Sequence, residues 1–189
     1  MTTKPVEEQK YTLVDLLAMP DDGKRYELIE GEIVATGTSN RKHSTLGVWL
    51  VFKLMTHVMT ARLGGRVGGA DTMYILDAAN VKAPDVSYLT PARDATVPPG
   101  TVFCPFGPNF AIEIKSPSDS GRYMRWLAAL YIRTGTTLVW VIDPVDEIVS
   151  VYRAGQIALE LSEGILDASD VIAGFTIDMA EMFAQIARL

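Results

Sequence analysis

Between Lys42 and Leu63 apolar residues return at Leu46, Leu50, Leu54 and Val58, a helical period that predicts one long helix halted by Gly64-Gly65. Ahead of it, Thr12 and Asp15 form a capping box for a short amphipathic helix over Leu13–Met19, which Pro20 terminates. Tyr26–Ile29 and Glu32–Ala35 are expected to pair as strands across a tight turn at Glu30-Gly31. Further strands are expected around Arg66–Gly69, Thr72–Leu76 and Asp85–Leu89, then an irregular proline-rich stretch from Pro91 to Pro108. The strand Phe110–Lys115 leads through Ser116-Pro117-Ser118 into a second helix, Ser120–Thr134, with Met124, Leu127, Ala128 and Tyr131 on one stripe. Leu138–Ile142 is apolar throughout, the signature of a central buried strand. A hairpin around Ala154-Gly155 and a final short helix opened by Asp178 and Glu181 complete the pattern.

This order predicts an α/β fold with a mixed sheet, in which Phe110–Ile142 forms a parallel strand–helix–strand crossover. The length of 189 residues suits one domain spanning 1–189, with residues 1–10 as a flexible, polar terminus. The one cysteine, Cys104, excludes an internal disulfide and a thiolate-rich zinc site. With no apolar signal segment and no membrane-length apolar run, the expected location is the cytoplasm. Seventeen basic residues against twenty-three acidic ones leave a net charge of −6. That balance opposes a phosphate backbone at long range, so any nucleic acid would have to be held by a local basic patch, a dimer cleft or a partner.

Strand alternation through Phe110–Lys115 sends Phe110, Ile112 and Ile114 one way and Ala111, Glu113 and Lys115 the other. Taken alone, Glu113 and Lys115 read more readily as an exposed ion pair, and Asp85 in Pro84-Asp85 as a turn or strand-start residue. Together they form an ordered Asp…Glu-x-Lys set. Two carboxylates supply the hard oxygen ligands that Mg²⁺ prefers, and a lysine can steady the attacking hydroxide or the phosphate. Glu27 reads either as a hairpin residue or as a further acid of the site. His43, after Arg41-Lys42 at a helix start, reads as a phosphate contact, a proton-transfer group or a solvated first-turn histidine. His57, Ser116 and Ser118 are expected to pack or cap, and the glycine run from Gly64 to Gly69 lacks the ending of a phosphate loop.

Pro84-Asp85 with Glu113-Ile114-Lys115 resembles the signature of PD-(D/E)xK nucleases. More narrowly, the chain resembles the Uma-two family of restriction-endonuclease-like proteins. The resemblance is carried by Tyr26–Glu32, His43, Ala83–Val86, Glu113–Ser118, Leu130-Tyr131 with Gly135, Trp140–Pro144 and Val151–Arg153. It implies a restriction-endonuclease-like mixed β-sheet core flanked by helices, with additional antiparallel hairpins. It also implies a metal-dependent endonuclease acting on DNA, with Asp85, Glu113 and Glu27 at magnesium (manganese as substitute), Lys115 and His43 as catalytic partners, and a homodimer. Family members often place their lysine in the following helix, four residues before the tyrosine; here that position is Leu127, and Lys115 is expected to replace it. The rival reading is a non-catalytic nuclease-like scaffold or regulatory partner, which the acidic balance favours.

Overall fold

The computed structural model describes residues 10–37 and 39–189. Most of the expected flexible terminus, residues 1–9, therefore lies outside the described residues. Helix α1 (Leu13–Leu17) opens with Asp15 Oδ2 accepting from both the backbone N–H and the hydroxyl of Thr12 at 2.7 Å. Strands β1 (Arg25–Ile29) and β2 (Glu32–Thr36) then form the expected hairpin. Its turn needs two successive residues at positive φ, and Glu30 (51°) and Gly31 (84°) supply them. The long helix α2 (Arg41–Thr60) starts at Asn40, whose side chain accepts from the His43 N–H.

Strands β3 (Arg66–Gly69), β4 (Tyr74–Asp77), β5 (Asn80–Lys82) and β6 (Val86–Leu89) follow. The turn before β3 depends on Gly65: at φ 78° a Cβ there would stand 2.3 Å from the Leu89 carbonyl oxygen. After the short α3 (Pro91–Asp94) come β7 (Phe110–Ile114), α4 (Gly121–Arg133), β8 (Leu138–Asp143), β9 (Ile148–Arg153) and β10 (Leu159–Leu161). The chain closes with β11 (Ile165–Asp167), β12 (Thr176–Asp178) and α5 (Met179–Ala184), which Asp178 caps through the N–H groups of Ala180 and Glu181.

The central sheet runs β10-β9-β8-β7-β6-β3 and is mixed: β7 and β8 are parallel, as a helical crossover requires, and the remaining pairings are antiparallel. A second sheet, β2-β1-β5-β4, is antiparallel, and β11 pairs with β12. β5, β11 and β12 were not expected from the sequence, because each is a three-residue strand too short to show a period.

Alternation along the central strands feeds two cores. Phe110, Ile112 and Ile114 of β7 join Leu46, Leu50, Leu54 and Val58 of α2 and the C-terminal Met182 and Phe183 on one face. Ala111 of β7 with Val139 and Val141 of β8 packs under Met124, Leu127, Ala128 and Tyr131 of α4 on the other. A third cluster, Leu16, Leu28, Met73, Val81 and Ala83, binds α1 to the small sheet. The chain between β5 and β6 thus joins the two sheets, and the cleft lies there.

Candidate active site

A cleft of about 1350 Å³ opens between the hairpin sheet, the first turns of α2 and the N-terminal half of α4, and its lining includes Glu27, His43, Lys82, Asp85, Glu113 and Tyr123. Asp85 stands just ahead of β6, and Glu113 near the end of the antiparallel neighbour β7, where Val86 faces Ile112. That register puts the two acids beside each other across the strand gap. Asp85 Oδ2 is fixed twice: it accepts from the Ile114 N–H at 2.7 Å and stands 3.2 Å from His43 Nε2. Burial works against protonation of His43. The bond and charge of Asp85, with help from the Ile114 backbone and Asp119, outweigh it and raise the imidazole above its ordinary value.

Glu113 is buried at 8 % exposure, and Tyr131 of α4 donates to its Oε1 at 2.8 Å. Burial, then the negative charges of Asp85 and Glu27, push its carboxyl up to about 8, against the pull of Lys82 and the Tyr131 bond. The donor is itself wholly buried, and burial with the neighbouring Glu113 keeps its phenol protonated. Glu27, on β1, lies opposite Lys82 of β5 through the Leu28–Val81 register. It accepts from the Lys82 ammonium and, at 3.1 Å, from the Ala83 N–H. Lys82 also donates to the Tyr123 hydroxyl at 3.3 Å.

Of the residues singled out in the sequence, Glu27, His43, Asp85 and Glu113 are thus gathered in one cleft. Lys115 is not. It lies beyond the end of β7, its N–H continues the pairing to the Ile142 carbonyl, and its ammonium is tied to Asp143 Oδ2 at the end of β8. Strand parity was read correctly, but parity fixes a face and not a direction along the sheet. Asp85 flanks Glu113 on the β6 side, whereas Asp143 draws Lys115 to the β8 side. The acids acting on Lys115 are accordingly Asp143, Asp146 and Asp119, and it is absent from the cleft lining. Leu127 does line the cleft.

The lysine that stands among the acids of the cleft, paired with Glu27, is Lys82, which the sequence reading passed over. Its only signal in the sequence was a basic residue two places before Pro84 in an otherwise apolar stretch. Of the basic residues flanking the cleft in sequence, Lys24 and Arg25 line it, and both are engaged with carboxylates, Asp22 and Asp71. Among the described residues no group of three or more His, Cys, Asp or Glu side chains is placed to hold a metal ion. Among the described residues, Asp85 and Glu113 each keep one oxygen without a hydrogen-bond donor, whereas both oxygens of Glu27 are engaged.

A mixed sheet flanked by α2 and α4, with paired acids at the facing ends of two inner strands, is a restriction-endonuclease-like α/β fold. The chain belongs to the Uma2 family, described as "Putative restriction endonuclease", whose model matches residues 13–180. It is also similar to a crystal structure from Anabaena variabilis described as a "putative nuclease belonging to DUF820". The two are 22 % identical with a TM-score of 0.80, over 92 % of this chain and 98 % of that one. No curated protein matches the sequence. No helix among the described residues is long and apolar enough to cross a membrane.

Proposed function

We propose that this protein is a metal-dependent phosphodiester hydrolase of the DNA endonuclease type, working in the cytoplasm. The observation that carries the reading is the pair Asp85–Glu113, two acids from adjacent strands facing one open cleft, with Glu113 held protonated to about pH 8 by burial and by its neighbour's charge. Such crowding is relieved by a cation. Magnesium suits the donor set, because it binds through one or two carboxylates plus substrate phosphate and keeps several of its waters. When bound, the ion supplies positive charge and Lewis acidity at the phosphate and the attacking water.

The chain's own residues would do the rest. Asp85 and Glu113 would hold the ion. Tyr131 fixes the rotamer of Glu113 from behind, and the Ile114 N–H fixes Asp85. His43 orients the Asp85 carboxylate and, in its protonated form, adds a positive charge beside it. Glu27, with both oxygens engaged, is better placed to steady Lys82 than to bind metal. Hydrolysis breaks one P–O bond, water adds to phosphorus, and a proton goes to the leaving oxygen.

A homodimer belongs to the same reading. Val48, Phe52, Met55 and Met59 form an exposed apolar row on α2, which a second copy would cover. The alternative, a scaffold that kept the fold, is favoured by the net charge of −6 and by Lys82 and His43 already balancing acids in the cleft.

The deciding experiment incubates purified protein with supercoiled plasmid, single-stranded DNA and RNA, with Mg²⁺, Mn²⁺ or chelator. Asp85→Asn and Glu113→Gln serve as matched controls. Divalent-dependent nicking that both variants abolish supports the reading. Cleavage that survives both, or none on any substrate, removes it in favour of the scaffold.

A further inference from the structure

With Lys115 tied to Asp143 outside the cleft, the cation that should face the phosphate has to come from elsewhere. We infer that Lys82, carried on the three-residue strand β5, is the phosphate-binding cation of this site, the inference resting on the hydrolase reading above. Three observations point to it. Its side chain is 7 % exposed, yet it lines the cleft alongside Asp85 and Glu113. A buried ammonium is retained only where its charge is used or balanced. Its position is fixed from two directions, by Glu27 on β1 and by the Tyr123 hydroxyl on α4, so the charge is held in place before any substrate arrives.

The third observation is the donor count. An ammonium donates three hydrogen bonds, and among the described residues Lys82, which lines the cleft, makes two, to Glu27 and to Tyr123, so one N–H finds no acceptor there. A phosphate oxygen of a phosphodiester bridging the two acids is an acceptor of the right charge. Glu27 then has a function other than metal binding: it is the positioning residue that aims Lys82.

The test compares Lys82→Met, Lys82→Arg and Lys115→Met with wild type in three measurements. These are cleavage of a labelled duplex in Mg²⁺, anisotropy of that duplex in Ca²⁺ to prevent turnover, and Mn²⁺ affinity by calorimetry. Loss of one preorganised charge at a phosphoryl centre costs on the order of 10²–10³ in rate, and K82M should show that loss. It should also bind the duplex about tenfold more weakly, as loss of a charged hydrogen bond implies. Its Mn²⁺ affinity should stay level or rise, since a nearby positive charge opposes cation binding. A merely structural role would lower metal affinity together with cleavage. K82R should recover part of the rate, and K115M should stay within about twofold of wild type, as expected for an ion pair outside the cleft.

If K82M fails to fold because Glu27 is left buried and unpaired, the double variant E27Q/K82M, read against E27Q alone, carries the same comparison. Wild-type cleavage with K82M unaffected, or with K82M weakened in Mn²⁺ binding to the same degree, overturns the inference and leaves the hydrolase reading standing. A wild type that binds Mn²⁺ but cleaves no nucleic acid overturns both.

Discussion

His43 Nε2 stands 3.2 Å from Asp85 Oδ2, which ties the first turn of α2 to the acid that precedes β6. Two elements that share no hydrogen-bonded ladder are thereby joined at the cleft, and the acid favours the charged form of the imidazole. Breaking this contact from the acid's side gives a direct reading of it. In Asp85→Asn the imidazole loses its anionic partner while burial remains, so its pKa should fall below the wild-type value. Proton NMR of the two histidines through a pH series measures this. An unchanged His43 midpoint in the variant would show that Asp85 does not hold the imidazole.

Glu113 makes stability depend on pH in a defined direction. Its carboxyl titrates near 4.5 when unfolded and about 8 when folded, raised by burial and then by Asp85. A raised pKa means that the native state binds the proton more tightly. The resulting stabilisation is complete below pH 4.5 and disappears as pH rises through about 8. Glu113→Gln, neutral at every pH, should therefore match wild type near pH 4.5 and melt higher at pH 9 in metal-free buffer. A gain of 1 kcal/mol corresponds to about 2–4 °C for a chain of this size, and a gain of roughly that order or more is expected. Equal melting curves at pH 9 would mean that the folded carboxylate is not destabilised.

Tyr131→Phe tests the other half of that contact. The hydroxyl donates to Glu113 Oε1 at 2.8 Å in a fully buried setting, so its removal leaves a buried acceptor unsatisfied. The expected loss is about 1–3 kcal/mol, larger at pH 9, where the carboxylate is charged, than at pH 6. Chemical denaturation at the two pH values reads the difference. A loss independent of pH would assign Tyr131 to packing alone.

Divalent binding should carry a proton signature. If Asp85 and Glu113 hold the ion, binding below pH 8 must displace the Glu113 proton, so affinity should climb with pH and level off above about 8. Calorimetry at pH 6.5 in buffers of different ionisation heat should report release of about one proton for each Mn²⁺ bound. Binding without proton release at that pH would exclude Glu113 as a ligand.

The apolar row on α2 makes a prediction about assembly. Phe52→Asp places a charge in the middle of Val48, Phe52, Met55 and Met59, which are exposed in the single chain and should lose water in a homodimer. Light scattering should give twice the chain mass for wild type and the single-chain mass for the variant. A wild type of single-chain mass at micromolar concentration would remove the homodimer.

The sequence by itself determined what depends on local period and order. Leu46, Leu50, Leu54 and Val58 had to share a helix face, and Phe110, Ile112 and Ile114 had to leave Glu113 on the other side of β7. Asp85 and Glu113 were legible as a set because Pro84-Asp85 marks the start of one strand and alternation along Phe110–Ile114 marks the face of the other. Tertiary structure decided which lysine joined them. β5 has three residues, and its place beside β1 comes from the Leu28–Val81 pairing, a contact between segments far apart in the chain that no local period encodes. That pairing brings Lys82 onto Glu27 and into the cleft. Lys115 had the right spacing and the right face, but the parallel strand β8 ends in Asp143 beside it, and an acid within reach fixes a flexible ammonium more surely than parity does. Local spacing determines which side of a strand a side chain leaves from; the neighbour that captures its charge is set by strand order, which only the folded sheet establishes.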